Sequence, residues 1–335
     1  MGRQEGSGLR RICLAGYFGF GNLGDELMLR AEAELLREMG FAGELLVLFG
    51  PRGEPPQGVA RANRWSVPDV VRALRGSDLL ILGGGSIFQD ATSLKSPFYY
   101  AALVFLAKGF GLKVWAFGHG VGPLRRSISR WVSLRALGAC DLITLRDERS
   151  LRWLAGRGMP EGRLRLGADP VFSLTPRMSP SRGGGWLLLN LRPVNSSLPR
   201  LALKEGLALA DGLGLRVVGV ALSEGDRDLM ASFGLKAILV SSLEEAAGVF
   251  EGASLALGMR YHFLALSAMA GVPFVGVPYD PKVVSLCGAF GMPLLGEEGI
   301  PRGEGVGGAL RERSLELGEL VRRSFRDGFG LLGGL

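Results

Sequence analysis

The sequence predicts an α/β fold of two Rossmann-like domains, each a doubly wound parallel sheet, facing each other across a cleft in a GT-B-like arrangement. Three observations support this prediction. Short apolar runs alternate with helical stretches, the 335 residues suit two α/β domains, and a Pro-, Ser- and Gly-rich segment interrupts the alternation near residue 180. Strands that are apolar throughout are typical of parallel sheets covered on both faces.

The first half of the chain contains five predicted strands and four predicted helices. The strands are 11–16, 44–49, 78–82, 112–117 and 141–145, and the helices are 24–39, 68–75, 97–110 and 124–137. Because apolar strands alternate with helical stretches, we expect a parallel, doubly wound sheet.

The alternation stops at 175–185, a stretch without apolar periodicity, and then resumes. The predicted strands of the second half are 186–190, 215–220, 237–240, 254–257 and 273–277, and the helices are 201–210, 224–233, 243–250, 261–270 and 281–290. We therefore predict domains at 1–178 and 184–335. A last helix, 308–325, is a candidate to pack back on the rest of the chain.

Composition narrows the classes of function. A formal charge of +7 favours anionic partners such as phosphates, nucleic acid or an acidic membrane surface, although an arginine-rich composition alone would also explain it. The three cysteines lack metal-ligand spacing and are expected to be buried in a reducing cytoplasm. The polar start has no signal-peptide pattern, and no apolar run is long enough to cross a bilayer.

Glycine-rich loops follow the first and third predicted strands. The first, 19–24, has the spacing GxGxxG but lacks the acidic residue that a dinucleotide site needs after the second strand. Asp25 then either caps a helix or bonds a substrate hydroxyl. In the second loop, Gly84 and Gly85 either form a tight turn or let a ligand approach the backbone closely, and the nearby Asp90 could hydrogen-bond a sugar.

Charged residues follow three other strands, where ligands of parallel sheets bind. Arg146 follows the fifth strand and either grips an anion or forms a salt bridge inside its domain. Arg260 and His262 stand two residues apart before a helix, a pattern suited to anion binding and proton transfer, or to a buried polar turn. Lys282 is a phosphate ligand or a plain surface charge.

These segments together resemble the polysaccharide pyruvyl transferase family. The matching stretches are 16–26, 82–90, 118–123, 144–150, 167–172 and 258–282, in the family's order through both domains. The whole pattern is most similar to the bacterial CsaB-like branch, which attaches a pyruvate ketal to a cell-wall polysaccharide precursor for S-layer anchoring. The resemblance implies phosphoenolpyruvate as donor substrate, without a cofactor or metal.

The resemblance also assigns residues. It matches Arg146, Arg260, His262, Lys282 and Asp25 to residues of the family, and the three cations would hold the donor beside the backbone of Gly84 and Gly85. As a mechanism, we expect His262 to protonate the methylene carbon or to assist phosphate departure, and Asp25 or Asp90 to accept a hydroxyl proton. The second domain would bind phosphoenolpyruvate, while the first would supply the acceptor side and part of the donor site. His119 departs from the family, in which glutamine is more frequent, so a catalytic role for it is not expected.

By the same resemblance, the acceptor is a lipid-linked saccharide carrying N-acetylmannosamine, and nucleic acid is not a partner. One predicted helix carries arginines and a tryptophan that either meet an anionic membrane surface or form a solvated face: Arg125, Arg126, Arg130, Trp131 and Arg135. We therefore expect a cytoplasmic protein, with peripheral attachment to the inner face of the plasma membrane. The alternatives are a GT-B glycosyltransferase, a sugar-nucleotide epimerase and a non-catalytic polysaccharide-binding protein.

Overall fold

The computed structural model describes residues 8–334 except residues 84, 92, 298, 302 and 304. The described chain divides into two compact units, each built on one parallel sheet, which confirms the predicted fold class. The first unit comprises the described residues of 8–20, 28–170 and 319–334, and the second those of 21–27 and 171–318. The predicted linker at 175–185 therefore lies inside the second unit.

The first unit contains seven parallel strands in the order β3-β2-β1-β4-β5-β6-β7. They are β1 (Arg11–Ala15), β2 (Glu44–Phe49), β3 (Val59–Asn63), β4 (Leu79–Leu82), β5 (Lys113–His119), β6 (Leu142–Leu145) and β7 (Leu164–Leu166). The chain proceeds from β1 to one edge and then crosses to β4, so the order reverses between these two strands. Ligands of such sheets bind beyond the carboxyl ends at this reversal.

Five helices connect these strands: α1 (Leu23–Glu38), α2 (Val67–Arg75), α3 (Lys95–Gly109), α4 (Ser127–Ala139) and α5 (Glu148–Ala155). Local capping defines several starts. Asp147 accepts a hydrogen bond from the Ser150 amide at 2.7 Å, as its position before a helix predicts, and Ser66 accepts from the Asp69 amide at 3.4 Å. The first turn of α1 is counted with the second unit.

The second unit has five parallel strands in the order β10-β9-β8-β11-β12. They are β8 (Trp186–Asn190), β9 (Arg216–Ala221), β10 (Ala237–Leu239), β11 (Ala253–Gly258) and β12 (Phe274–Gly276). The helices are α6 (Leu198–Gly212), α7 (Glu224–Ser232), α8 (Leu243–Glu251), α9 (Tyr261–Met269), α10 (Pro281–Phe290) and α11 (Val306–Leu331). Here the order reverses between β8 and β11.

Each unit has its own apolar core, in which the central strands β1, β4, β8 and β11 are almost completely buried. The end of α11 belongs to the first unit, where the Phe325 ring lies 4.9 Å from that of Trp115 and 4.8 Å from that of Phe117. A side chain at Gly328 would overlap Trp115, so glycine permits this close approach. The three cysteines are buried, and desolvation raises the pKa of each thiol to about 12.

Candidate active site

Asn190, the last residue of β8, organises the reversal point of the second sheet. Its Oδ1 accepts a hydrogen bond from the Arg260 amide at 3.0 Å, and its Nδ2 donates to the Val220 carbonyl at 2.9 Å. Its carbonyl accepts from the Met259 amide at 3.1 Å. One buried side chain thus ties together three strand ends and fixes the turn from β11 into α9.

The guanidinium of Arg260 forms a side-on pair with the carboxylate of Asp226. Nε lies 2.6 Å from Oδ2 and Nη2 lies 2.7 Å from Oδ1, while Nη2 also donates to Ser223 Oγ at 2.9 Å. Burial opposes the charged guanidinium, but the hydrogen bonds and charge of Asp226 outweigh burial and raise the pKa of Arg260. Arg260 is therefore a fixed cation.

This pair leaves one edge of Arg260 available. The Asp226 side chain is 0% exposed, whereas that of Arg260 keeps 14%. Nη1 of Arg260 makes no hydrogen bond within the described part of the chain. A planar guanidinium that is held on one edge can bind a carboxylate or phosphate with the other.

Asp25 and His262, both counted with the second unit, lie close together at the starts of α1 and α9. Asp25 lies in the first turn of α1, and His262 is the second residue of α9. Gly24 permits the close approach of His262, because a β-carbon at this position would overlap its imidazole. The Leu23 amide donates to the Leu222 carbonyl at 2.9 Å and anchors this turn beside α7. The third glycine of the GxGxxG pattern thus accommodates a histidine ring.

The surroundings of Asp25 shift its proton affinity. Although part of its surface remains open, crowding protein atoms desolvate the carboxyl group and raise its pKa. The charge of His262, a hydrogen bond from Asn22 Nδ2, and the charges of Lys282 and Arg260 oppose this rise. A carboxyl group with a raised pKa beside an imidazole suits proton transfer.

Two more cations follow strands of the second sheet. Lys282 Nζ lies 3.8 Å from Asp280 Oδ2, and Asp280 caps α10 by accepting from the Lys282 amide at 3.0 Å. Arg192, which sequence reasoning missed, donates to the Tyr279 hydroxyl at 2.8 Å and has no acidic partner among the described residues. Its signal in the sequence was an arginine two residues beyond the end of β8.

Arg146 lies in the first unit and is already paired. Its Nη1 lies 2.6 Å from Asp169 Oδ2, and its Nη2 donates to Ser86 Oγ at 3.2 Å. The side chains of the ion pair are 3% and 0% exposed. Gly120 leaves space for the guanidinium, because a β-carbon there would lie 3.0 Å from Arg146 Nε. Sequence reasoning missed Asp169 as a site residue, although Asp169 lies in the stretch 167–172 that resembles the family.

Asp90 also lies in the first unit. Its two carboxylate oxygens accept from the backbone amides of Arg125 and Arg126, at 2.8 and 2.9 Å. Burial opposes ionisation of Asp90, but these hydrogen bonds outweigh it and lower the pKa. Asp90 thus has a clear role in holding the segment before α4, while its catalytic role stays a prediction.

The loop after β4 is tightly constrained. Gly85 has a φ of +85°, a conformation that favours glycine, and its carbonyl accepts from the Gly120 amide at 3.1 Å. A side chain at Gly83 would overlap Phe18. These contacts explain two glycines by packing and turn geometry. Gly84 lies outside the described residues, and donor binding by this loop stays a prediction.

His119 ends β5 and is completely buried. Its Nε2 lies 3.1 Å from the Leu82 carbonyl, and burial lowers its pKa to about 4. The ring is therefore neutral at physiological pH and serves as a hydrogen-bond donor to the neighbouring strand. Among the described residues, no three His, Cys, Asp or Glu side chains group as metal ligands.

Three solved structures have folds similar to this chain and share little sequence identity with it. The UDP-GlcNAc 2-epimerase of Methanocaldococcus jannaschii aligns with a TM-score of 0.58 at 10% identity, covering 93% of this chain and 92% of that one. S. aureus MnaA bound to UDP aligns with 0.61 at 8%, covering 97% and 90%. Anabaena HepE bound to UDP and glucose aligns with 0.52 at 10%, covering 97% of both. At these identities the likeness establishes a GT-B-like fold alone.

Sequence comparison identifies the family of this chain, which the structural likeness alone does not. No curated protein sequence matches the chain. The family model described as polysaccharide pyruvyl transferase matches residues 22–281, a span that contains Asp25, Arg146, Arg260 and His262 and covers most of both units. The chain therefore belongs to the polysaccharide pyruvyl transferase family and is a transferase.

Proposed function

We propose that the protein transfers pyruvate from phosphoenolpyruvate, as a ketal, to N-acetylmannosamine in a lipid-linked cell-wall polysaccharide precursor that later anchors S-layer proteins. The proximity of Asp25 to His262 and Arg260, whose charges act on its carboxyl group, carries this proposal. It joins two proton-transfer groups to a fixed cation at one sheet reversal, as addition to an anionic enol ester requires.

The proposed reaction balances without a redox partner. The methylene carbon of phosphoenolpyruvate gains one proton, two sugar hydroxyl oxygens bond to C2, and the C2–O bond to phosphate breaks. Of the two hydroxyl protons released, one balances the proton taken up at carbon and the other leaves with phosphate. The protein must therefore hold two anionic groups and move protons at two positions.

The geometry of the second unit supports the following proposed roles. Nη1 of Arg260 and the ammonium group of Lys282 would bind the donor anions through charge-assisted bonds, each contributing about 1.5–3 kcal/mol. His262 would deliver the proton to the methylene carbon, and Asp25 would accept one from the sugar hydroxyl. Arg192 has no acidic partner in the described part of the chain, which supports it as a further donor ligand.

A lipid-linked acceptor would require contact with a membrane, and helices α3 and α4 of the first unit carry a suitable surface. Neither these nor the other described helices combine the length and apolar character needed to cross a bilayer. Exposed large apolar side chains on the pair are Phe98, Phe105, Leu106, Ile128 and Trp131. The Arg135 guanidinium lies 5.5 Å from the Trp131 ring centre, and Arg125 and Arg126 are exposed nearby. Aromatic side chains among arginines suit an anionic lipid surface.

Membrane attachment can be tested by flotation with phosphatidylglycerol vesicles, using phosphatidylcholine vesicles as the charge control. We expect co-flotation with the anionic vesicles at low salt, weakened by high salt and by Trp131→Ser. Failure to float with anionic vesicles at low salt would rule out this attachment.

The central experiment measures phosphate release from phosphoenolpyruvate with and without a lipid-linked acceptor containing N-acetylmannosamine. We expect release that depends on acceptor, with a pyruvate ketal identified in the product by NMR. Absence of acceptor-dependent release contradicts the proposal. Thermal stabilisation by UDP-GlcNAc but not by phosphoenolpyruvate would favour the epimerase alternative instead.

A further inference from the structure

A connected group of aromatic rings lies beyond the carboxyl ends of β1 and β3 in the first unit. Tyr17 and Phe20 are stacked with ring centres 4.3 Å apart, Phe20 meets Trp65 edge-on at 6.2 Å, and Trp65 lies 5.9 Å from Tyr99. The exposed fractions are 48% for Tyr17 and 63% for Trp65. Connected exposed aromatic surface of this kind marks a binding site more often than solvent-facing structure.

Arg64 supports these rings from within the protein, where it is 4% exposed. Its guanidinium carbon lies 4.7 to 5.8 Å from the ring centres of Phe20, Trp65, Tyr99 and Tyr100. Nη1 donates to the Gly16 carbonyl at 2.6 Å and Nη2 to the Tyr100 hydroxyl at 3.2 Å. The planar guanidinium of Arg64 therefore packs against four of the aromatic rings and fixes their positions.

The environment of Arg64 is unusual for a buried charge. No acidic side chain pairs with it among the described residues, and its Nε has no hydrogen-bond partner there. A buried cation without an acidic partner is costly, and attraction to the faces of four rings offsets some of this cost. The contacts of Arg64 thus fix the positions of the rings that it supports.

The chemistry of the surface identifies the ligand class. Flat rings with few charges suit a neutral ligand that has both apolar faces and hydroxyl groups, which describes a pyranose ring. Tyr17 and Phe20 also follow β1, one of the two strands between which the first sheet reverses. We propose that Tyr17, Phe20, Trp65 and Tyr99 form an aromatic platform that stacks a sugar ring of the acceptor, an identification that rests on the proposed function.

The test measures binding of a lipid-free disaccharide containing N-acetylmannosamine, by calorimetry and without phosphoenolpyruvate. Trp65→Ala should weaken binding about tenfold, as expected from losing a large aromatic contact, while Trp65→Phe should stay within about threefold of wild type. Trp153→Ala is the matched control, because Trp153 also packs beside an arginine, Arg157, at 3.9 Å but on α5. We expect no change in this control.

Several results would overturn the platform: no saccharide binding by the wild type, equal binding by Trp65→Ala, or a Trp65-dependent preference for UDP over the disaccharide. The experiments can reject the aromatic platform and the proposed function independently of each other. Acceptor-dependent phosphate release with an unchanged acceptor KM in Trp65→Ala would reject the platform alone. Trp65-dependent saccharide binding without phosphate release would reject the proposed reaction and retain the platform.

Discussion

Each of the two units contains one of the chain's two histidines and one buried arginine–aspartate pair, yet their surroundings differ. In the first unit, Arg146 pairs with Asp169 at 3% and 0% side-chain exposure. In the second, the Arg260 side chain keeps 14% exposure, and its Nη1 makes no hydrogen bond to the described residues. The same residue types thus form a sealed pair in one unit and an accessible cation in the other.

The histidines follow the same division. His119 is completely buried, with a pKa lowered to about 4, and bonds a strand carbonyl. His262 is half-buried and packs on Gly24 beside Asp25, whose pKa burial raises. Residue type and position after a strand thus identify candidate catalytic residues. An accessible guanidinium edge and a carboxyl group with a shifted pKa then distinguish the residues suited to catalysis from those that only support the fold.

The largest expected effect comes from breaking the sealed pair. Asp169→Asn leaves the buried charge of Arg146 without its counter-ion, so the free energy of unfolding should fall by about 3–5 kcal/mol. Urea denaturation measures the change. The control is Glu148→Gln, which removes an exposed pair with Arg152 and should cost less than about 0.5 kcal/mol.

A small stability loss in Asp169→Asn, together with a changed donor KM, would contradict a purely structural role for the Arg146–Asp169 pair. Arg146 would then be able to leave Asp169 and turn toward an anion, as the sequence-based assignment to donor binding predicts. The structural role of Arg146 in the first unit would in that case be secondary.

The second prediction concerns the histidines. His262→Ala should lower turnover about 10²-fold or more if the imidazole supplies a proton, with little change in folding. His119→Gln keeps an amide donor for the Leu82 carbonyl, so its turnover per folded molecule should stay within about threefold of wild type. Steady-state phosphate release measures both, and similar losses in the two variants would contradict the division.

Much of the fold was predictable because central strands are buried on both faces and appear as apolar runs. Strands β3 and β7 were missed, and both are edge strands of the first sheet with several exposed residues. Helix α5 was missed because it is only eight residues long. Edge strands need not be apolar throughout, so their sequences lose the signal that marks the centre.

The candidate site was predictable residue by residue but not as a set of contacts. The position of Arg260 and His262 before α9 follows from the sequence, as does Asp25 at the start of α1. Their partners do not. Asp226 lies 34 residues from Arg260 in the chain, and its pairing depends on how β9 and β11 flank β8. Local patterns carry no information about such distant complementarity.

The third prediction tests whether Arg260, which is paired with Asp226, binds the donor. Arg260→Met should raise the donor KM about tenfold or more through loss of a charge-assisted contact, and should destabilise the fold by leaving Asp226 buried alone. Adding Asp226→Asn removes this charge while keeping an acceptor for the Leu222 amide. The double variant should regain stability without regaining donor affinity.

Arg227→Ala is the matched control, because this arginine of the same unit pairs with Glu224 at the exposed start of α7. Its donor KM should equal that of wild type. Recovery of donor affinity in the Arg260→Met, Asp226→Asn variant would show that Arg260 acts through the stability of the second unit and does not touch the donor.

The smallest expected effect is the pH dependence that Asp25 imposes on stability. Because burial raises the folded pKa of Asp25, folding favours the protonated carboxyl, and its stabilising contribution is lost as pH rises through that pKa. Asp25→Asn should therefore be more stable than wild type at pH 7, with a difference that shrinks toward the unfolded Asp value of about 3.9. Urea denaturation at both pH values measures this shift.

The same variant should behave oppositely in catalysis. If ionised Asp25 accepts the hydroxyl proton, wild-type kcat/KM rises with pH through the raised pKa, and Asp25→Asn loses this limb along with most of its activity. A gain in stability with a loss of turnover would show that the ionised carboxylate of Asp25 destabilises the fold but is needed for catalysis. Equal stability loss at both pH values would instead assign Asp25 to holding α1, with no proton-transfer role beside His262.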